Sequence, residues 1–206
     1  MVEVSELQRD ALSEIINIGV GRAAASLSQI VRDEVELSAP TVLFLEPSEV
    51  NQALNGVEFD ELSVVSQDFS GPFDSRAMLV FPEKNALVIV GHMLGEMVPP
   101  EQLSEFEQEA MCEFGNIILN ACISSLADLF AVEFEGSLPS YRHADRQTLE
   151  ILETSVGDRP VVLVVQVDLK IRKQELQGHL IFMMSVTSLS ELLDSIDHYL
   201  ARQGIV

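Results

Sequence analysis

Residues 5–40, SELQRDALSEIINIGVGRAAASLSQIVRDEVELSAP, and residues 104–139, SEFEQEAMCEFGNIILNACISSLADLFAVEFEGSLP, are one stretch written twice, 99 positions apart and without gaps. Twelve of the 36 aligned positions are identical, among them Glu14 and Glu113, Asn17 and Asn116, and Pro40 and Pro139. Both copies have helical periodicity. At 100° per residue, Asp10, Glu14, Asn17 and Gly21 fall within an arc of roughly 60°, with Leu12, Ile15, Ile16, Ala23, Leu27 and Ile30 opposite. The second copy sets Glu109, Glu113, Asn116 and Asn120 against Met111, Phe114, Ile118, Cys122, Leu126 and Leu129. A copied core explains the apolar matches. It does not require Glu-x-x-Asn to recur on the polar side, so that pair is where chemistry is sought.

Around these stretches the sequence predicts two similar halves. Ser5 with Gln8, and Ser104 with Glu107, read as capping boxes that open helices ending near Val31 and Ala131. Each proline then disfavours helix in the residue before it, so the helix must already have stopped. The first half continues with extended chain at 41–46, a helical turn near 48–54, strands at 61–69 and 76–81, and a helix at 84–94. The second half repeats this with a turn or helix near 146–152, strands at 159–167 and 176–185, and a helix at 188–202. The only plausible linker, 95–102, is short. Three strands per half leave exposed edges, whereas a shared sheet covers them. The expected fold is α+β: a pseudo-twofold duplicated α/β repeat forming one sheet packed with two long motif-bearing helices. It is expected to be one domain over 1–206, made of repeats at about 1–98 and 99–206.

Composition narrows the function. The 206 residues are 47% hydrophobic with a mean hydropathy of +0.23, which is enough for a packed core. The formal charge is −21, from 33 acidic against 12 basic residues, and Lys84, Lys170 and Lys173 form no basic stripe. Nucleic acid and anionic membrane are therefore poor partners. No charged-then-apolar leader opens the chain and no apolar run is expected to span a bilayer, so a cytoplasmic location is expected. Cys112 and Cys122 read as buried thiols. Neither precedes a Gly-rich phosphate loop ending in Arg, which argues against a cysteine nucleophile. His92, His143, His179 and His198 are scattered, without metal-ligand spacing.

Asp10-x3-Glu14-x2-Asn17-x22-Pro40 resembles the signature of the CheC, CheX and FliY family of chemotaxis phosphatases, and Glu109-x3-Glu113-x2-Asn116-x22-Pro139 resembles a second copy. Two motifs in about 200 residues resemble the CheC-like branch. The resemblance implies removal of the phosphoryl group from the aspartate of a phosphorylated receiver, most simply CheY. It makes Glu14, Asn17, Glu113 and Asn116 the catalytic residues, with Asp10, Glu109, Pro40 and Pro139 as accessory positions. Asn17 and Asn116 would orient water in line with phosphorus, and Glu14 and Glu113 would pair with the receiver's lysine. No metal or cofactor of its own is implied, because the receiver carries Mg²⁺. CheD is a possible further partner. The alternative is a non-catalytic CheC- or FliM-like module that binds CheD or a receiver. One position departs from the family pattern: it begins with Asp or Ser, and the second copy has Glu109. The two prolines are expected to set the exit from helix to strand.

Overall fold

The structure is a computed structural model, described here for residues 4–38, 41–46, 49, 61–95, 98–145, 160–171 and 174–205. Helix α1 spans Glu6–Val31 and opens with the expected capping box: Ser5 Oγ accepts from Gln8 N at 3.2 Å, and Gln8 Oε1 accepts from Ser5 N at 3.0 Å. It closes on Arg32 in the left-handed region (φ 52°), whose N–H bonds Ser28 O. Its apolar stripe is buried as the periodicity requires, with one shift: Ile30 is 38% exposed and Val31 turns inward instead.

From β1 (Val35–Leu37) and β2 (Thr41–Leu45) the chain reaches the hairpin β3 (Glu61–Ser70) and β4 (Ser75–Pro82), then α2 (Glu83–Leu94). A 3-10 turn at Pro100–Glu105 precedes α3 (Glu107–Phe130). The second half continues with β5 (Glu135–Gly136), β6 (Ser140–Asp145), the hairpin β7 (Pro160–Ile171) and β8 (Gln174–Ser185), and α4 (Val186–Arg202). The turns expected at 48–54 and 146–152 lie outside the described residues, apart from a helical Glu49. Strand β7 runs four residues beyond its expected end because β1 pairs with Leu169–Ile171. Helix α4 starts two residues early because Ser185 caps it, its Oγ accepting from Ser188 N at 3.0 Å.

One sequence expectation fails at α3. No Ser104–Glu107 capping box forms: Phe106 is the N-cap and supplies no side-chain bond. Pro99 and Pro100 start the 3-10 turn instead, with Gln102 N bonding Pro99 O at 2.9 Å and Phe106 N bonding Leu103 O at 3.1 Å, so Ser104 is already inside it. Glu107 is drawn into the protein, where its carboxylate accepts a hydrogen bond from the Tyr141 hydroxyl, and that bond helps raise the Tyr141 pKa after burial itself. A second correction concerns apolar length: α3 is long and apolar enough, by length and composition, to cross a membrane. Its apolar side chains are spent on the core, since Met111, Phe114, Ile118, Leu119 and Cys122 are all buried there.

The eight strands form one sheet in which the halves exchange strands. β1 and β2 pair antiparallel with β7 of the second half, and β5 and β6 pair antiparallel with β3 of the first. β4 and β8 meet in the middle, Arg76 opposite Met183 through Val80 opposite His179, where an approximate twofold axis relates the halves. The core between helices and sheet takes alternate strand residues such as Val65, Leu79, Val165 and Leu180. A smaller cluster, including Val64, Met78, Val164 and Ile181, occupies the opposite face.

Helices α1 and α3 pack against each other, and glycine sets how closely. A Cβ built on Gly19 would stand 2.7 Å from the Cys122 Cα, and one on Gly115 would stand 2.4 Å from the Val65 Cγ1. Gly21, half a turn from Gly19, faces open space. Gly19→Ala is therefore expected to destabilise the protein by about 1–3 kcal/mol through backbone collision, and Gly21→Ala to stabilise it by about 1 kcal/mol through helix propensity. Urea unfolding of the two variants checks this; equal midpoints would show that the helices do not need the close approach.

Candidate functional site

The two polar stripes reach the surface as the helical geometry requires. Asp10, Glu14 and Asn17 on α1 are exposed, as are Glu109 and Glu113 on α3. Among the described residues no hydrogen bond or ion pair engages the side chains of these five. Their elements explain the presentation: the opposite face of each helix is committed to the core, so i, i+3 and i+4 neighbours on the polar face are held outward by a rigid support. Glu and Asn three residues apart stand one turn from each other, close enough to contact one partner group together.

Asn116 differs from Asn17. It is half-buried, and its Oδ1 accepts a hydrogen bond from Asn120 Nδ2 at 2.6 Å. The same nitrogen donates to the Asn116 backbone O at 2.8 Å and to Gln67 Oε1 at 3.2 Å, while Gln67 Nε2 donates to Ser137 O at 2.8 Å. These groups border an open cleft of about 650 Å³, whose walls are Glu109, Cys112, Glu113, Asn116 and Asn120 from α3, Gln67 from β3 and the loop Gly136–Pro139. The cleft contains no residue of the first motif, so the two motifs are separate sites. Two carboxylates and three amides line it, and among the described residues no cation does. Such a surface suits a partner that brings positive charge of its own.

The structure places the accessory positions unequally. Pro139 lines the cleft as the residue before β6, and its carbonyl accepts a weak bond from the Cys112 thiol at 3.8 Å. Pro40 lies outside the described residues. Leu138, between Ser137 and Pro139, is 90% exposed and forms an apolar rim beside Glu113 and Asn116. Sequence reasoning placed Asn120 on the polar stripe but missed Gln67, because β3 carries no local signal that one of its inward residues reaches the helix 53 positions on.

The thiols are not alike either. Cys122 is in the core, and burial pushes its pKa up to about 12. Cys112 is only half-buried and lines the cleft, which corrects the expectation that both are buried; desolvation raises its pKa too. A raised thiol pKa, with no cation in the cleft, is the reverse of what activates a cysteine nucleophile. Among the described residues no three His, Cys, Asp or Glu side chains are grouped to hold a metal ion.

Comparison with known proteins adds to this geometry. A family model for the chemotaxis phosphatase CheX matches residues 63–158, and one for the CheC-like family matches residues 7–43. The CheY-P phosphatase CheC of Bacillus subtilis (strain 168) is 23% identical over 197 residues, covering 92% of this chain and 93% of that protein. The flagellar motor switch phosphatase FliY of the same organism is 26% identical over 161 residues, 76% of this chain and 40% of that protein. Among solved structures, Thermotoga maritima FliY superposes with a TM-score of 0.76 at 21% identity, covering 96% of this chain and all of that one. CheX of Borrelia burgdorferi, solved with CheY, BeF3 and Mg²⁺, gives 0.53 at 14% identity over 81% of this chain and 96% of that one. The FliM middle domain from Vibrio alginolyticus gives 0.61 at 16% identity over 89% and 99%. At these identities the superpositions establish a shared fold.

The cleft geometry has a direct chemical check. At neutral pH a maleimide should label one thiol of the folded protein, Cys112, more slowly than a free cysteine because of its raised pKa, and should reach Cys122 only in denaturant. Peptide mapping of the labelled protein reads this out. Labelling of Cys122 under native conditions would contradict the packing of α3.

Proposed function

This chain belongs to the CheC, CheX and FliY family, and on that premise we propose that it is a phosphatase hydrolysing the aspartyl phosphate of a phosphorylated response-regulator receiver, with CheY as the first candidate. One observation carries the reading: Glu-x-x-Asn occurs twice on the polar faces of the two long helices, with the carboxylates and Asn17 free of partners among the described residues. Residues kept unengaged on two rigid supports are suited to a partner's active site. The names of the relatives support the same direction, since B. subtilis CheC is a CheY-P phosphatase and the Borrelia CheX structure is a complex with CheY.

The chemistry asks little of the protein beyond position. An acyl phosphate is already reactive, and phosphoryl transfer through a loose transition state depends mainly on alignment and charge stabilisation. The Asn17 or Asn116 amide enters the receiver's site, its carbonyl accepting from the attacking water and its NH2 donating toward phosphoryl oxygen. Water oxygen bonds to phosphorus as the bond to the aspartate oxygen breaks, releasing inorganic phosphate and the free carboxylate. Glu14 or Glu113 pairs with the receiver's lysine and fixes the approach, in keeping with a cleft that supplies negative charge and no cation. The receiver's Mg²⁺ neutralises charge on the phosphoryl group, so this chain needs no metal of its own. Asp10 and Glu109 stand one turn outside each pair, where they tune contact with the receiver. A cytoplasmic protein that docks CheD as a further partner, and neither nucleic acid nor membrane, is consistent with this role.

Loss of label from a purified, phosphorylated receiver, with and without this protein, tests the reading. Acceleration supports it. Failure with every receiver of the source organism would move the protein to the binding-module reading, which the shared FliM fold accommodates. Asn17→Ala combined with Asn116→Ala is expected to lower turnover by at least about 100-fold, the range seen when a positioning group is lost, with receiver affinity retained. A double variant that turns over like wild type would end the water-orienting assignment. Glu14→Ala combined with Glu113→Ala should weaken receiver binding by up to about fivefold at low salt and less at high salt, as for an exposed charge pair. Titration calorimetry at two ionic strengths reads this, and salt-independent, wild-type affinity would remove the glutamates from docking.

A further inference from the structure

Asn120 and Gln67 belong to neither motif, yet together they decide which way Asn116 faces. The backbone carbonyl of Ser137 can only accept, so the Gln67 side chain must turn Nε2 toward it, at 2.8 Å. That leaves Gln67 Oε1 facing α3, where it can only accept, and so it takes a hydrogen from Asn120 Nδ2 at 3.2 Å. The other hydrogen of that nitrogen points at Asn116, whose Oδ1 lies 2.6 Å away and whose backbone O lies 2.8 Å away. Orientation is thus passed from a backbone atom through two amides to a third. Asn116 Oδ1 is thus held through one lone pair, and its second lone pair and its NH2 group, which has no partner among the described residues, are left for a ligand in the cleft.

Among the described residues the first motif has no such chain. Gly21 stands at the position of Asn120, 99 residues earlier, with open space where a side chain would begin. The sheet register identifies the other missing member. Thr41 pairs with Gln166 as its counterpart Ser140 pairs with Ser66, so Val167 stands where Gln67 stands in the other half. Val167 is buried and has no polar side-chain atom. Asn17 is accordingly exposed and held by no partner among the described residues, and its amide must be ordered when the receiver docks, at an entropic cost that Asn116 has already met on folding.

We propose that Asn120 and Gln67 are positioning residues that preorganise Asn116, and that they make the second motif the faster of the two sites. The proposal rests on the phosphatase reading above and names the device that sets its rate. It places the inequality of the sites in a part-buried hydrogen-bond chain rather than in the exposed Glu109.

The test uses the full chain carrying Asn17→Ala, so that only the second site turns over, and measures kcat and KM on a phosphorylated receiver. Asn120→Ala should lower kcat by about tenfold, as expected for a loosened reactive group, with KM within about twofold. Asn120→Asp keeps the volume but sets an acceptor against Asn116 Oδ1, and should lower kcat at least as far. Wild-type kcat in Asn120→Asp would show that the residue only fills space. A higher kcat in Asn120→Ala would show that the chain restrains Asn116 instead of preparing it. Either result overturns the proposal. Relaxation of the Asn116 side-chain ¹⁵NH2 needs no turnover: it should be rigid in wild type and mobile in Asn120→Ala and Gln67→Leu, and equal mobility in all three overturns the proposal. Absence of turnover in the wild-type chain would instead sink the phosphatase reading and leave the relaxation test standing.

Discussion

The close contact of α1 with α3 over a shared sheet is the constraint on which the rest of the structure depends. Both helices bury one face in the same core, and Gly19 and Gly115 let backbone and strand come nearer than any side chain would allow. With the inner faces fixed in this way, the outer faces have no freedom to turn. Glu14, Asn17, Glu113 and Asn116 are presented by the same packing that holds the protein together, so the motifs sit on helices anchored in the core. Position, rather than unusual reactivity, is what hydrolysis of an acyl phosphate requires.

Strand exchange extends the same logic. The segment after each long helix crosses to the other half, β1 and β2 to β7, and β5 and β6 to β3. This brings the second motif's helix, the Ser137–Pro139 loop and β3 of the opposite repeat into one cleft. Neither repeat contains that cleft alone. The duplication supplies two motifs, while the crossover allows them to diverge: Gln67 and Asn120 on one side answer to Val167 and Gly21 on the other.

Local sequence carried much of this. The 3.6 periodicity of α1 and α3 placed their faces, the Ser5–Gln8 box set the first helix start, and β-rich runs located both hairpins. Where reading failed, a non-local contact was responsible. The Ser104–Glu107 box satisfies the same local rule as Ser5–Gln8, but Tyr141 and the Pro99–Pro100 turn claim its members. The full length of β7 depends on β1, which lies about 130 residues away in the chain. For the site, the Glu–Asn pairs were legible because repetition marked them. Gln67 was not, since its bonds to Ser137 and Asn120 exist only once the sheet has folded.

The central claim is geometric: one of the two asparagine amides enters a receiver's phosphorylation site. A crystal structure of this protein with a beryllofluoride-activated, Mg²⁺-bound receiver tests it most directly. The expected result has Asn116 or Asn17 within about 3 Å of the in-line water position, with Glu113 or Glu14 on the receiver's lysine. A receiver docked elsewhere, with both Glu–Asn pairs left in solvent, would contradict it.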